Sequence, residues 1–375
     1  MEVRRLGYCV YNARQRVYKD IWICLQTMAM VDRKAFYQAA LELAEQNGIG
    51  LGARLAKQFG VSRAYASQRL RSLVRRGLLV AEGNTRARRY RLAVLQHVGA
   101  CYKTEGLSED LVWKELCRQV VDDLPENVRD IWHYGITEMV NNVIDHSGSP
   151  SVTVELKRTA LYTTCDVFDT GEGIFNKIQR ALNLYDPREA IVELAKGKFT
   201  TDPEHHTGEG IFFSSKVFDC FEIVSGKVAF LAGAVCRHDV IIDLDDEPVA
   251  GTLVRMRLRN DSERTLKQIM DEYAAPEAFT FSKTVIPIRL AVHEGEKLVS
   301  RSQAKRITHR IERFENVVLD FEGVNEIGQA FADQIFRVFK KSHPKTLLIP
   351  INTNDQVRQM IERVVAAEDS GEDSG

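Results

Sequence analysis

Residues 131–146 read IWHYGITEMVNNVIDH, and this stretch decides the fold of the central part of the chain. Its apolar residues recur at every third or fourth position, which predicts a helix with one buried face. Glu138 and Asn142 stand four residues apart, so they lie one turn apart on the same face of that helix. A carboxylate and an amide at this spacing indicate one polar wall of a binding site.

Two glycine motifs follow downstream. Residues 166–173, DVFDTGEG, predict a strand that ends in Asp169 and is followed by Gly171 and Gly173, and residues 207–210, TGEG, open an apolar helix. Glycines let the backbone approach a ligand closely, and N–H groups at a helix N-terminus can bind phosphate oxygens. Each Gly-x-Gly alone is also compatible with an ordinary turn. The three motifs in this order predict a site for a nucleotide.

The residue types suggest individual roles. The carboxylate of Asp169 can accept a hydrogen bond from the exocyclic amine of adenine, and the side-chain oxygen of Asn142 suits a Mg²⁺ shell of waters and phosphates. Glu138 is placed to orient or deprotonate a nucleophile that attacks the γ-phosphate. We therefore expect ATP and Mg²⁺ as cofactors, with Glu138 as the catalytic residue and Asn142 as the metal ligand. The expected nucleotide-binding residues from these motifs are Asn142, Asp169, Gly171, Gly173, Thr207, Gly208 and Gly210.

These motifs resemble the N, G1 and G2 boxes of the GHKL (Bergerat-fold) ATPase superfamily, an α/β sandwich. The segment 197–211, GKFTTDPEHHTGEGI, is similar to the ATP lid of the bacterial anti-sigma-factor serine kinases. The resemblance covers residues 105–260. It implies that Asn142 holds Mg²⁺, that Asp169 recognises adenine and that Thr252 supports the base from the closing strand.

The amino-acid composition restricts the class of protein to which the chain can belong. The chain has 375 residues, of which 44% are apolar and 27% charged, and this is typical of a globular protein with two or three separate cores. It has no run of 18 apolar residues and no signal pattern, so we expect no membrane partner. Seven scattered cysteines without a C-x-x-C pair favour reduced thiols and a cytoplasmic location.

A strongly basic segment lies near the N-terminus. Between Leu51 and Leu92 there are eleven arginine or lysine residues and one glutamate, a net charge of +10, although the whole chain carries only −1. The pattern predicts a helix from Leu51 to Phe59, a turn, a second helix capped by Ser62 and ended by Gly77, and a hairpin around residues 82–84. This arrangement resembles the winged helix-turn-helix domains of bacterial regulators.

Double-stranded DNA is the expected partner of the basic segment. We expect Ser62, Arg63, Tyr65, Ala66, Gln68 and Arg69 to face the major groove, and Arg71, Arg75, Arg76, Arg88 and Arg89 to contact phosphates. The same charge pattern would also suit a solvated face or a protein-docking module.

The C-terminal part alternates predicted strands and helices. Strands are expected at residues 284–288, 317–321 and 346–350, with helices at 302–314, 328–340 and 355–365. This small α/β region resembles a STAS-like domain, the fold of the anti-sigma antagonists. The serine that is phosphorylated in that family corresponds to about Gln329, and neither Gln329 nor Ala330 has a hydroxyl. A docking or dimerisation role is at least as well supported as a catalytic one.

The expected organisation is therefore α+β and multidomain. It comprises an unassigned extension (1–30), a winged helix-turn-helix (31–97), a GHKL domain (105–260), a linker (261–278), a STAS-like domain (279–366) and a disordered acidic tail (367–375).

Three functions remain open on the sequence alone. The leading hypothesis is a regulator in which binding or hydrolysis of Mg-ATP changes contacts with the STAS-like domain or a second protomer of a homodimer, and thereby DNA binding. The alternatives are a serine kinase that acts on a separate protein, and an interaction protein that binds nucleotide without turnover.

Overall fold

A computed structural model of the chain describes residues 32–84, 88–199, 208–236, 238–245, 247–274, 281–292 and 296–369. The described residues form two compact units of mixed α/β structure. The first contains the residues up to Gln96 together with Arg158–Leu161, and the second contains the remainder.

Within the described residues, the first unit contains three helices and one antiparallel strand pair. Its elements are α1 (Arg33–Asn47), α2 (Leu51–Phe59), α3 (Arg63–Arg75), β1 (Leu79–Glu82) and β2 (Arg89–Leu92). Gly60, in the left-handed region at φ 63°, ends α2, and the Ser62 hydroxyl accepts a hydrogen bond from the Tyr65 N–H at 3.1 Å to begin α3. The sequence pattern therefore located this turn and both helix boundaries.

A seven-stranded sheet forms the centre of the second unit. Its strands are β3 (Gln96–Lys103), β4 (Ser151–Arg158), β5 (Tyr162–Asp169), β6 (Cys220–Gly226), β7 (Val228–Ala232), β8 (Val240–Asp243) and β9 (Val249–Arg259). Their spatial order is β3-β4-β5-β9-β6-β7-β8. Strand β9 pairs antiparallel with both β5 and β6 and so sits between them. This arrangement aligns the end of β5 with the beginning of β9.

Helices accompany this sheet. They are α4 (Glu109–Val112, continued by a π-helical turn and Arg118–Val121), α5 (Glu126–Asn142), α6 (Ile174–Leu182), α7 (Pro187–Lys196) and α8 (Gly210–Val217). The predicted central helix is α5. Its buried face includes Trp132, whose ring meets Phe218 edge to face at 4.9 Å. Burying this face fixes the rotation of α5 and hence the direction of its polar residues.

The C-terminal part of the second unit contains a three-stranded parallel sheet. Its elements are α9 (Leu266–Tyr273), β10 (Lys283–Pro287), α10 (Arg301–Thr308), β11 (Asn316–Asp320), α11 (Gln329–Asp333, continued through a π-helical segment to Ser342), β12 (Leu347–Ile351) and α12 (Asp355–Asp369). The strand order is β10-β11-β12, with both pairs parallel. The alternation of strands and helices predicted for this region is confirmed.

Two boundaries in this region differ from the sequence-based expectation. The helix expected at 302–314 ends at Thr308, because Arg310 adopts a left-handed backbone conformation with φ 65°, and a short 3₁₀ turn follows at Ile311–Arg313. The final helix α12 continues to Asp369, into the tail that composition predicted to be disordered. Residues 370–375 lie outside the described residues.

Two hydrophobic cores hold the second unit together. One packs α5 and its neighbours against the seven-stranded sheet. The other packs the C-terminal helices against the parallel sheet and includes Phe212 and Phe213 of α8. Helix α8 therefore connects the two parts of the unit through its aromatic side chains. Within the described residues, no helix is both long and apolar enough to cross a membrane.

Candidate functional site

A cavity of about 280 Å³ lies between α5, the ends of β5 and β9, and the start of α8. Seven of the predicted nucleotide-site residues line it: Glu138, Asn142, Asp169, Gly173, Gly208, Gly210 and Thr252. Gly171 is not on the cavity wall, and Thr207 lies outside the described residues. The fold thus brings together three motifs that are far apart in sequence.

Asp169 and Thr252 form one part of the wall. They are direct neighbours across strands β5 and β9, and both are buried, with exposed fractions of 3% and 7%. The Asp169 carboxylate accepts a hydrogen bond from the Gly171 N–H at 2.7 Å, and the Thr252 hydroxyl accepts one from the Ile174 N–H at 3.0 Å. Gly171 is therefore not part of the cavity wall, but its N–H group holds the Asp169 carboxylate in position.

The surroundings of Asp169 change the pKa of its carboxyl group. Burial raises the pKa of its carboxyl, while hydrogen bonds from Gly171 and Thr252 oppose that shift. A carboxylate that is buried and keeps acceptor capacity beside a cavity is suited to recognising a donor such as an amine.

Asn142 contributes an unmet hydrogen-bond donor. Its Nδ2 atom is buried and has no partner among the described residues, although the residue lines the cavity. A buried polar atom in this condition costs about 1–3 kcal/mol. An acceptor supplied by a bound molecule would remove this cost.

Gly210 allows Glu138 and the start of α8 to approach each other closely. A Cβ atom at position 210 would lie 2.0 Å from Glu138 Oε2, so a side chain there would displace the carboxylate. Glu138 lies one turn from Asn142 on α5, as the helical spacing predicted. The N-terminus of α8 also provides the positive end of a helix dipole beside this carboxylate.

Gly173 forms the turn from β5 into α6. Its φ is 88°, and a Cβ atom there would lie 2.6 Å from Ser225 Oγ. Only glycine fits both the conformation and the space. The last glycine of the first glycine motif (residues 166–173) is therefore required by the geometry of the cavity edge.

Several wall residues were not predicted from the sequence. Lys177 of α6 lines the cavity and donates a hydrogen bond to the His146 carbonyl at 2.5 Å, and Leu194, Phe199 and Phe212 supply apolar surface. Lys177 lies four residues after Gly173, and this closeness to a glycine motif was the one local sign that it could line the site. Phe199 lies within the lid-like segment 197–211 and Phe212 directly follows it, but only the fold shows that both side chains line the cavity.

Eight of the predicted DNA-contact residues lie in or next to α3 and β2 and are exposed. They are Ser62, Arg63, Gln68, Arg71, Arg75, Arg76, Arg88 and Arg89. Arg69 is half-buried, with its guanidinium 4.7 Å from the centre of the Tyr65 ring.

The expectation that Tyr65 and Ala66 face DNA is wrong. Both are buried, and the Tyr65 ring meets Phe36 edge to face at 5.9 Å. Positions 65 and 66 share the apolar face of α3 with Leu70 and Leu73, as helical periodicity requires. These two residues serve the core of the first unit.

No group of three or more His, Cys, Asp or Glu side chains among the described residues is arranged to hold a metal ion. A cation bound mainly through a ligand's phosphates and Asn142 needs no such group.

Comparison with known proteins adds a finding on the C-terminal region. Residues 303–358 match the family described as a STAS-like domain of unknown function (DUF4325). A search of curated proteins gives no match to the chain. The expectation of a STAS-like domain is therefore confirmed for the region that contains α10, β11, α11 and β12.

Proposed function

We propose that the cavity of the second unit binds Mg-ATP and that the protein is a nucleotide-dependent, DNA-binding regulator. The observation that carries this proposal is the meeting of Glu138, Asn142, Asp169 and the two glycine motifs around one cavity. A cavity of about 280 Å³ is close to the lower end of the range for small-molecule sites, about 300 Å³.

The residues fit the chemistry of this cofactor. Asp169 offers an acceptor for the amine of adenine, and the buried Asn142 amide requires a partner. The start of α8 offers backbone N–H groups and a favourable dipole for phosphate. When bound, Mg-ATP would supply a phosphoryl group activated for transfer. Under this proposal Asn142 holds the metal and the N-terminus of α8 holds phosphate.

Glu138 is the proposed general base. It lines the cavity and touches the α8 start, where we place the phosphates. A carboxylate at that point can orient a water molecule and accept its proton as the water attacks phosphorus. Slow hydrolysis would return the protein to its nucleotide-free state.

The fold resemblance supports the same assignment. A mostly antiparallel sheet with helices, in which the Glu/Asn helix faces the two glycine motifs, agrees with a GHKL domain. The first unit has two helices joined by a tight turn and followed by an antiparallel strand pair, which agrees with a winged helix-turn-helix. The exposed arginines of α3 and β2 are its proposed DNA contacts.

A protein serine kinase is the second candidate, because the lid segment resembles that of the anti-sigma-factor kinases. The substrate would be a separate protein, since the STAS-like domain has Gln329 and Ala330 where that family is phosphorylated. A STAS-like domain is compatible with binding such a protein partner.

Glu138→Ala separates turnover from binding. If Glu138 is a general base, the variant should hydrolyse ATP, or transfer phosphate to a partner, about 10²-fold more slowly. Binding of a fluorescent ATP analogue should change much less. Labelled ATP incubated with candidate partners distinguishes the two functions, because only a kinase transfers label to protein. Wild-type protein that binds no nucleotide would contradict both.

A further inference from the structure

Helix α7 meets the STAS-like domain through a set of charged residues, here called the charged seam: Glu189, Glu193, Lys196, Arg306, His309 and Arg310. Lys196 donates hydrogen bonds to Glu193 at 2.6 Å and to the carbonyls of Arg306 and His309 at 2.7 and 2.9 Å. Glu193 and Lys196 are 3% and 1% exposed. A buried seam of this kind fixes the register of two surfaces, because any shift leaves charges without partners.

Arg310 links this seam to the wall of the cavity. One end of its guanidinium lies 3.2 Å from Glu193 Oε2, and the other donates a hydrogen bond to the Lys198 carbonyl at 2.7 Å. The guanidinium carbon also lies 5.0 Å from the centre of the Phe199 ring, a cation–π geometry. One side chain of the STAS-like domain therefore contacts Glu193 within α7 and the two residues Lys198 and Phe199 that follow the helix.

The backbone on both sides of this contact is unusual. Arg310 and Lys198 have φ angles of 65° and 52°, in the left-handed region that residues with side chains seldom occupy. The hydrogen bond from Arg310 to the Lys198 carbonyl joins these two positions directly. Such conformations persist where surrounding contacts determine them, and they concentrate near functional sites.

Phe199 connects the contact to the ligand site. It lines the cavity together with Leu194 of α7, while its ring lies beneath Arg310. Thr284 of β10 adds a hydrogen bond to the Lys196 carbonyl at 2.7 Å. The backbone of residues 196–198 is thus attached at two points to the C-terminal part of the unit.

We infer that Arg310 is a positioning residue for the nucleotide site, which it shapes by holding Phe199 and the Lys198 carbonyl at the cavity wall. The inference rests on the proposed binding of ATP in that cavity. It assigns to the STAS-like domain a direct part in nucleotide affinity. Any partner that binds near α10 and displaces Arg310 would then alter that affinity.

Four proteins test this: the wild type, Arg310→Ala, Arg310→Lys and the control Arg313→Ala. Arg313 is an exposed arginine three residues further along the same turn. Mg²⁺ with a fluorescent ATP analogue is the probe. We expect Arg310→Ala to weaken binding about tenfold, as for the loss of a charged hydrogen bond, with partial recovery in Arg310→Lys and no change in Arg313→Ala.

A second measurement does not depend on the nucleotide. With Phe199→Trp as a fluorescent reporter, whose signal is the difference from the matching protein that has Phe199 and the three native tryptophans, Arg310→Ala should move the reporter emission to longer wavelength and increase its quenching by iodide, while Arg313→Ala should not. If the alanine variant does not fold, Arg310→Gln replaces it in both measurements, because it keeps most of the side-chain volume and removes the charge.

The outcomes separate the two proposals. If the wild type binds the analogue and Arg310→Ala binds it equally well with an unshifted reporter, Arg310 has no positioning role and the ATP site stands. If the wild type does not bind the analogue, the ATP site itself is wrong and the positioning role falls with it.

Discussion

At the scale of single residues, the Nδ2 atom of Asn142 is the clearest sign that the cavity takes a polar ligand. It is buried at the wall and lacks a hydrogen-bond partner among the described residues. Glu138, one turn earlier on α5, and Asp169 at the end of β5 line the same cavity. Their distinct roles lead to distinct expectations for substitution.

Asn142→Ala should remove the Mg²⁺-dependent part of ATP affinity. We expect a loss of about tenfold or more in the presence of Mg²⁺, because one charged or metal-supported contact disappears, and a smaller effect in EDTA. Titration of a fluorescent ATP analogue with and without Mg²⁺ measures this. Asn141→Ala is the matched control, since Asn141 is the neighbouring asparagine and does not line the cavity. Equal Mg²⁺ dependence in all three proteins would exclude Asn142 as the ligand.

Asp169→Asn should lower ATP affinity without lowering stability at neutral pH. Burial raises the pKa of Asp169 in the folded protein. Ionised Asp169 therefore lowers the free energy of unfolding, with full effect above the folded-state pKa. This loss of stability disappears as the pH falls through that pKa toward the pKa of aspartate in the unfolded chain. The amount by which the free energy of unfolding of Asp169→Asn exceeds that of the wild type should therefore decrease as the pH falls. Urea unfolding across pH measures it. An advantage that grows as pH falls would contradict the assigned direction.

The sequence identified the residues whose neighbours are local. Glu138 and Asn142 are related by one helical turn, and the Ser62 cap and Gly60 turn are set within a few residues, so periodicity sufficed. Tyr65 and Ala66 were misassigned although the same periodicity places them with Leu70 and Leu73. Phe199 and Arg310 are more than a hundred positions apart, and only the fold brings them together.

At the scale of elements, α7 and α10 are joined by buried charge. Lys196 supplies hydrogen bonds to two carbonyls where α10 ends, which satisfies groups that a helix terminus leaves without partners. Burial lowers the pKa of Lys196, while its pairing with Glu193 opposes that shift. The helix predicted at 302–314 ends early at this point. No single-sequence pattern could have indicated that a lysine from another element occupies its end.

Lys196→Met should destabilise the second unit by about 1–3 kcal/mol, because two buried carbonyls lose their donor, while Glu193 keeps Arg310 and His309 as partners. The double variant Glu193→Leu with Lys196→Met should lose less than the sum of the two single variants. Urea unfolding followed by circular dichroism gives these values. Lys305→Met, at an exposed position of α10, is the control and should change stability little. Strict additivity would show that the pair is not coupled.

At the scale of the whole molecule, charge is distributed very unevenly. Residues 51–92 carry +10 within a chain whose net charge is −1, so the remainder is acidic. Under the proposed function, the basic segment attracts a polyanion such as DNA, while the acidic remainder repels it. The STAS-like domain and the cavity lie together in the other unit. These features agree with separate sites for DNA and nucleotide in one regulator.

Arg75→Gln and Arg76→Gln should each reduce the salt dependence of DNA binding by up to about one unit in the slope of log K against log salt, because each neutralises a phosphate. Fluorescence anisotropy with a labelled duplex at several salt concentrations measures the slope. Lys114→Gln is the control, since Lys114 is an exposed basic residue in the second unit. An unchanged slope in both arginine variants would place the DNA contact elsewhere.

The proposed function requires that nucleotide binding in one unit controls DNA binding by the other. The most direct test measures the dissociation constant for duplex DNA at fixed salt, with and without saturating Mg²⁺ and a fluorescent ATP analogue. We predict that the nucleotide changes DNA affinity, and that DNA changes nucleotide affinity by the same factor, as linkage requires. A protein that binds the analogue while its DNA affinity stays constant would contradict the claim.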